Sequence, residues 1–154
     1  MLVTVTQRSE FECSYLMKET NDDYMKNSHY VLNSHNYRIE VTVASYTKDS
    51  QDNDKCIITF EKLKSIVDSC LPDGYFIYSV DDDSEEMKNL VRDLKIMGVK
   101  VTELYRLSVS AENIVDSIAR IISDKLDKEG VQLVEVKLRE NPDSVVTWKG
   151  IQRF

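Results

Sequence analysis

Apolar residues of one parity mark the start of the chain: Val3, Val5, Phe11, Cys13 and Tyr15 alternate with polar neighbours between Leu2 and Leu16. That alternation predicts a strand with one buried face, and its polar centre, Gln7 to Glu10, is where a bulge is expected. A second strand is predicted where Tyr37, Ile39, Val41 and Val43 alternate with Arg38, Glu40, Thr42 and Ala44. The period then lengthens. Phe60, Leu63, Val67, Cys70 and Leu71 recur at helical spacing after Thr59, a suitable N-cap, and Pro72 stops the run. A short apolar run, Tyr75 to Val80, precedes a helix around Ser84 to Met97 that carries Met87, Leu90, Val91 and Leu94 and ends at Gly98. Val99 and Val101 restart an extended segment. The strongest stripe, Ala111, Ile114, Ile118, Ile121 and Ile122, begins after Ser110 and ends near Gly130. Two further strands, Val131 to Glu140 and Ser144 to Lys149, close the chain around an Asn141-Pro142-Asp143 turn. The order is β-β-α-(short β-α-β)-α-β-β, an α+β arrangement.

A length of 154 residues with 42% hydrophobic and 31% charged side chains suits one domain over residues 1–154. The polar stretches Glu19 to Ser28 and Thr47 to Lys55 then read as loops within it. A net charge of -7 without a Lys/Arg cluster argues against a nucleic-acid partner. No continuous apolar run suggests a signal peptide or membrane span, so a cytoplasmic protein is expected. Cys13, Cys56 and Cys70 are odd in number and lack C-x-x-C spacing, which fits a reducing compartment and suggests neither a disulfide framework nor a cysteine zinc knuckle.

Strand parity selects the candidate chemistry. Val134, Val136 and Leu138 share a face that Glu140 continues, so a carboxylate falls at the end of an inward row. Glu140 either anchors a ligand or is the solvated end of the strand. Asn33 and His35 extend the apolar parity of the second strand backward, and Cys13 and Tyr15 stand at the end of the first. His29 and His35 are the chain's two histidines, each either a hydrogen-bonded strand-end residue or a group suited to proton transfer. A metal held by His29, His35 and Cys13 would require the stretch from Glu19 to Ser28 to fold inward.

The chain resembles the 6-pyruvoyltetrahydropterin synthase / 6-carboxytetrahydropterin synthase family. Phe11-Glu12-Cys13-Ser14-Tyr15 is similar to the family's F-x-A-A-H, and His29-Tyr30-Val31-Leu32-Asn33-Ser34-His35 to its C-x-x-x-H-G-H. Phe60 and Leu63-Lys64 fall on D-F-x-x-L-K with Thr59 in place of the aspartate, Ser110-Ala111-Glu112-Asn113-Ile114 on P-T-A-E-N-I, and Glu140-Asn141-Pro142 on E-T-P. The resemblance implies a tunnelling fold (T-fold), an antiparallel sheet with two main helices on one face (ββααββ), here with a short β-α-β insertion. It also implies trimeric rings stacked into a hexamer, with sites between subunits.

For the site, the resemblance places the family's three zinc-binding histidines at Tyr15, Asn33 and His35, so only His35 is retained and zinc is not expected. The family's catalytic cysteine corresponds to His29, and its catalytic histidine to Asp73. Glu140 matches the glutamate that accepts hydrogen bonds from a pterin's ring N–H and amino group, while Ser110 and Glu112 match further pterin-lining positions. Ser110 serves equally as a helix N-cap. Two classes of function follow. One is a protein binding a pterin or purine-type ring without the family's zinc chemistry, or a non-catalytic assembly subunit. The other is a carbon-oxygen lyase acting on a dihydroneopterin triphosphate-like substrate through a remodelled site.

Overall fold

The computed structural model describes residues 2–19, 29–46, 58–106 and 108–150. Along them run β1 (Leu2–Glu19), β2 (His29–Tyr46), α1 (Phe60–Cys70), β3 (Phe76–Ser79), α2 (Glu85–Ile96), β4 (Val101–Leu104), α3 (Ala111–Asp127), β5 (Gln132–Asn141) and β6 (Ser144–Lys149). Hydrogen-bonded neighbours follow the order β4-β3-β1-β2-β5-β6. The expected loops from Glu19 to Ser28 and from Thr47 to Lys55 lie outside the described residues, apart from Glu19 at the end of β1. Contacts within the chain gather into two compact units.

The first unit takes in Met1–Phe11, Tyr37–Leu71 and Val115–Phe154. Antiparallel strands β2 and β5 meet with Val41 opposite Val136 and Ile39 opposite Leu138, all four fully buried. The opposite face of β1 and β2 is a polar ladder. Thr6 and Thr42 share a hydrogen bond of 2.8 Å, Arg8 pairs with Glu40 at 2.9 Å, and Arg38 with Glu10 at 3.4 Å. Each step of two along β1 matches a step of two back along β2, so the ladder runs through Gln7 to Glu10 without the expected bulge. That polar stretch is instead satisfied on both faces, with the Ser9 hydroxyl donating to Asp68 of α1 at 2.5 Å.

The bulge occurs elsewhere. Between Thr42 and Val43 the register of β2 against β5 shifts, so that Thr42 faces Glu135 and Val43 faces Leu133. Val134 is the extra residue, which leaves it half-buried while Leu133 enters the core. The expected row Val134, Val136, Leu138 is thereby corrected to Leu133, Val136, Leu138.

Helix α1 begins as expected, with the Thr59 hydroxyl accepting from the Lys62 N–H at 3.1 Å. Its buried face is Leu63, Ile66, Val67 and Cys70. Phe60, expected in the core, is exposed, because Ile66 falls inside that arc and Phe60 at its edge. In α3 the buried arc holds Ile114, Val115, Ile118, Ala119, Ile122 and Leu126 and excludes Ile121. Ile122→Ala is therefore expected to cost about 2–5 kcal/mol of stability, and Ile121→Ala, at 44% exposure, under about 1 kcal/mol. Urea unfolding of both variants checks this assignment, and equal losses would contradict it.

The second unit takes in Glu12–Asn36 and Pro72–Ile114. Here the insertion builds a parallel edge: β3 pairs with β1 through Ser14 and Phe76, and β4 pairs with β3 from Phe76–Val101 to Ser79–Leu104. Parallel neighbours need a crossover, which α2 supplies, N-capped by Ser84 and ended at Gly98 with φ 83°. Phe76, Met87 and Val91 form a small core against which Leu16, Tyr30, Tyr78 and Val101 pack. Leu16, on the even-numbered face of β1, packs on this core, while Cys13 and Tyr15 are buried on the odd-numbered face.

Candidate functional site

In the first unit the register of β2 against β5 runs to the Arg38–Arg139 pair, and Tyr37 and Glu140 are the next residue of each strand beyond it. Tyr37 is fully buried, and its ring stacks on Phe11 at 5.2 Å between centroids with 18° between planes. A buried phenol needs a partner for its hydroxyl, and this one donates to Glu140 Oε1 at 3.1 Å. Strand β5 continues past Glu140 to Asn141. A second irregularity, where Arg139 faces Val145 and Asn141 faces Ser144, makes Glu140 an extra residue on β5. The Asn141 side chain closes the turn by accepting from the Asp143 N–H at 2.9 Å. Glu140 is half-buried on the inward face, not a freely solvated strand end.

The remaining candidates belong to the second unit. The Ser14 and Ser34 hydroxyls hydrogen-bond across β1 and β2 at 2.8 Å. In that register Tyr15 stands opposite Asn33 and Cys13 opposite His35, all four on one face. Cys13 and Tyr15 are buried, and Asn33 and His35 half-buried. The three zinc positions of the resemblance therefore come from adjacent strands. Their donors are one imidazole, one phenol and one carboxamide, which falls short of the three strong protein ligands that catalytic zinc uses. Among the described residues no three His, Cys, Asp or Glu side chains gather closely enough to hold a metal ion.

His29 opens β2, and its side chain lies outside the described residues. Asp73 is exposed and pairs with Lys100 at 3.6 Å. Gly74 fixes this turn: its N–H donates to Thr102 Oγ1 at 3.0 Å, and a Cβ there would come within 2.7 Å of the Val101 carbonyl carbon. Ser110 caps α3, its hydroxyl accepting from the Asn113 N–H at 3.2 Å. Glu112 is exposed in the first turn, where a carboxylate suits the helix dipole. Neither of two surface cavities includes a candidate residue. One of about 910 Å³ lies in the first unit between the end of α3 and Trp148, and one of about 360 Å³ lies in the second along α2.

The sequence profile of the 6-pyruvoyl tetrahydropterin synthase family matches residues 4–150. The chain belongs to that family. No curated protein matches the sequence. Solved structures of the same fold include the Caenorhabditis elegans 6-pyruvoyl tetrahydropterin synthase, with 19% identity and TM-score 0.59 over 98% of this chain and 97% of that one. The Plasmodium falciparum 6-pyruvoyl tetrahydropterin synthase gives 18% identity and TM-score 0.59 over 96% of each chain. An uncharacterized protein of Wolinella succinogenes gives 16% and 0.62, over 97% of this chain and 99% of that one. The α+β fold of this family member is thus the tunnelling fold expected from its motifs, with the β3-α2-β4 insertion added. No helix among the described residues is long and apolar enough to cross a membrane.

Sequence reasoning placed Tyr37 in the core and missed its hydroxyl. The signal was available in outline: a tyrosine on a fully buried parity must satisfy its O–H, and Glu140 shares the inward parity of a later strand.

Proposed function

We propose that this family member binds a pterin or purine-type ring through Glu140, and that the zinc and catalytic residues implied by the resemblance are largely replaced. One observation supports the reading most: a half-buried carboxylate at the end of an inward strand row, held by the hydroxyl of a fully buried tyrosine at 3.1 Å. A carboxylate so placed can accept two parallel hydrogen bonds from a ring N–H and an adjacent amino group, the pattern that pterins and guanines present. Ser110 and Glu112 are proposed as further ring contacts on the resemblance alone. Tyr15, Asn33 and His35 do not fit zinc, and no step is assigned to it. Titration of pterins and guanine-type purines, with metal analysis of the same preparation, tests the reading. A pterin bound with little zinc supports it, whereas an equimolar zinc content with lyase turnover favours the enzyme.

Self-association belongs to the same proposal. Strand β6 pairs within the first unit through β5 and exposes Ser144, Val145 and Thr147, an edge that favours a partner strand. A trimer or hexamer is expected by light scattering at micromolar concentration, and a monomer would contradict it. One domain and a cytoplasmic location complete the proposal.

A further inference from the structure

We propose that the cavity along α2, built by the β3-α2-β4 insertion of the second unit, binds a small aromatic carboxylate. Its volume of about 360 Å³ falls within the usual span of small-molecule sites, about 300–1,000 Å³. Met87 and Val91, both buried, and Tyr78, which packs on the same core, make its apolar side. A thioether beside a phenol ring suits a flat aromatic body. The polar side is cationic. Lys88, Arg92 and Lys95 follow one another at i, i+4 and i+7 along one flank of α2, so three positive charges line a cavity whose one carboxylate is Asp82. This local excess of positive charge lies in a chain of net charge -7.

The carboxylates nearby are engaged elsewhere. Asp82 accepts from the Ser84 N–H at 3.1 Å in the turn before the helix. Glu103 of β4, opposite Tyr78 in the ladder, accepts from the Tyr78 hydroxyl at 3.0 Å and the Tyr105 hydroxyl at 2.9 Å. Burial, and then the bond to Glu103, pushes the Tyr78 phenol up, so its hydroxyl stays protonated and committed to that carboxylate. The Glu103 carboxyl is held low first by the two tyrosine hydroxyls, while the charge of Lys95 is the least of the influences on it. Asp93 meets Arg92 Nε at 3.5 Å with both side chains exposed, a pair of little worth. Glu85 and Glu86, in the first turn of α2, do not line the cavity. Among the described residues neither Lys88 nor Lys95 closes an ion pair, so both ammonium groups are open to a ligand. A carboxylate set between them over the aromatic side gains charge-assisted bonds that a neutral ligand of the same shape lacks.

The unaltered protein is titrated by calorimetry with 2-naphthoate and with 2-naphthamide, its neutral counterpart, and the methionine methyl signals are followed by NMR. Naphthoate is expected to bind about tenfold or more tightly than naphthamide and to move the Met87 methyl signal, assigned by its loss in Met87→Leu. In Lys88→Gln combined with Lys95→Gln, both exposed positions, naphthoate is expected to weaken about tenfold and naphthamide to change by less than twofold. Naphthoate, an anion, is unsuited to the Glu140 carboxylate, which keeps the two sites distinguishable. Equal affinities for the two probes, no saturable binding of naphthoate up to millimolar concentration, or binding that leaves the Met87 signal in place overturns the proposal. An unchanged preference in the double lysine variant overturns it as well, and that comparison decides even where Met87→Leu does not fold.

Discussion

Tyr15→His together with Asn33→His is expected to turn a protein holding little zinc into one that binds about one zinc per chain. The backbone supports the expectation, since Tyr15 stands opposite Asn33 in the register set by the Ser14–Ser34 hydrogen bond, and His35 follows Asn33 on the same face. Three imidazoles would then project from adjacent strands, with Zn–N distances near ~2.0–2.1 Å and one position left open. Either single change is expected to give far weaker binding, because two ligands do not make a catalytic zinc site. Tyr15 is 3% exposed, so loss of its phenol vacates core volume, and folding of the double variant must be checked by circular dichroism before the metal is counted. Activity need not follow, since the resemblance sets His29 and Asp73 at the places of the family's cysteine and histidine. A folded double variant that takes up no zinc, under conditions that load an ordinary three-histidine protein, would contradict the correspondence of these strands with the family.

The second large effect concerns Glu140. Glu140→Gln is expected to weaken binding of a pterin or guanine-type ligand by about 2–3 kcal/mol, roughly 30- to 150-fold, because hydrogen bonds to a charged group contribute about that much. The amide keeps one acceptor and the approximate shape, so the loss reports the second acceptor and the charge. Equal affinity in the variant and the parent would leave Glu140 as a structural partner of Tyr37 and no more.

Much of the fold was legible because its determinants are local. Caps at Thr59, Ser84 and Ser110, and the positive-φ glycines Gly98 and Gly130, bracket the helices, and the alternation of Tyr37 to Ala44 marks β2. What was not legible depends on partners distant in sequence. The extra residue is Val134 and not a residue between Gln7 and Glu10, since a bulge is a property of two paired strands. Phe60 and Ile121 look apolar enough for the core, but the buried arc of a helix is fixed by what packs on it. Nor does the sequence say that Leu16 and Tyr30, supplied by β1 and β2, pack on the core that Phe76 forms with Met87 and Val91 of α2. The site divides along the same line. Parity in one strand pointed to Glu140, and strand-end clustering to Cys13, Tyr15, Asn33 and His35, of which the resemblance singled out the last three. The Tyr37–Glu140 bond required the register between β2 and β5.

The most direct test of a ring anchor at Glu140 is a calorimetric titration of the unaltered protein with pterin and with lumazine, which differ at one ring substituent. Saturable binding of pterin, with lumazine weaker by tenfold or more, is the result expected of a fixed carboxylate facing a ring N–H and an amino group. Equal affinity for the two, or no binding of either by a folded and assembled protein, would contradict it.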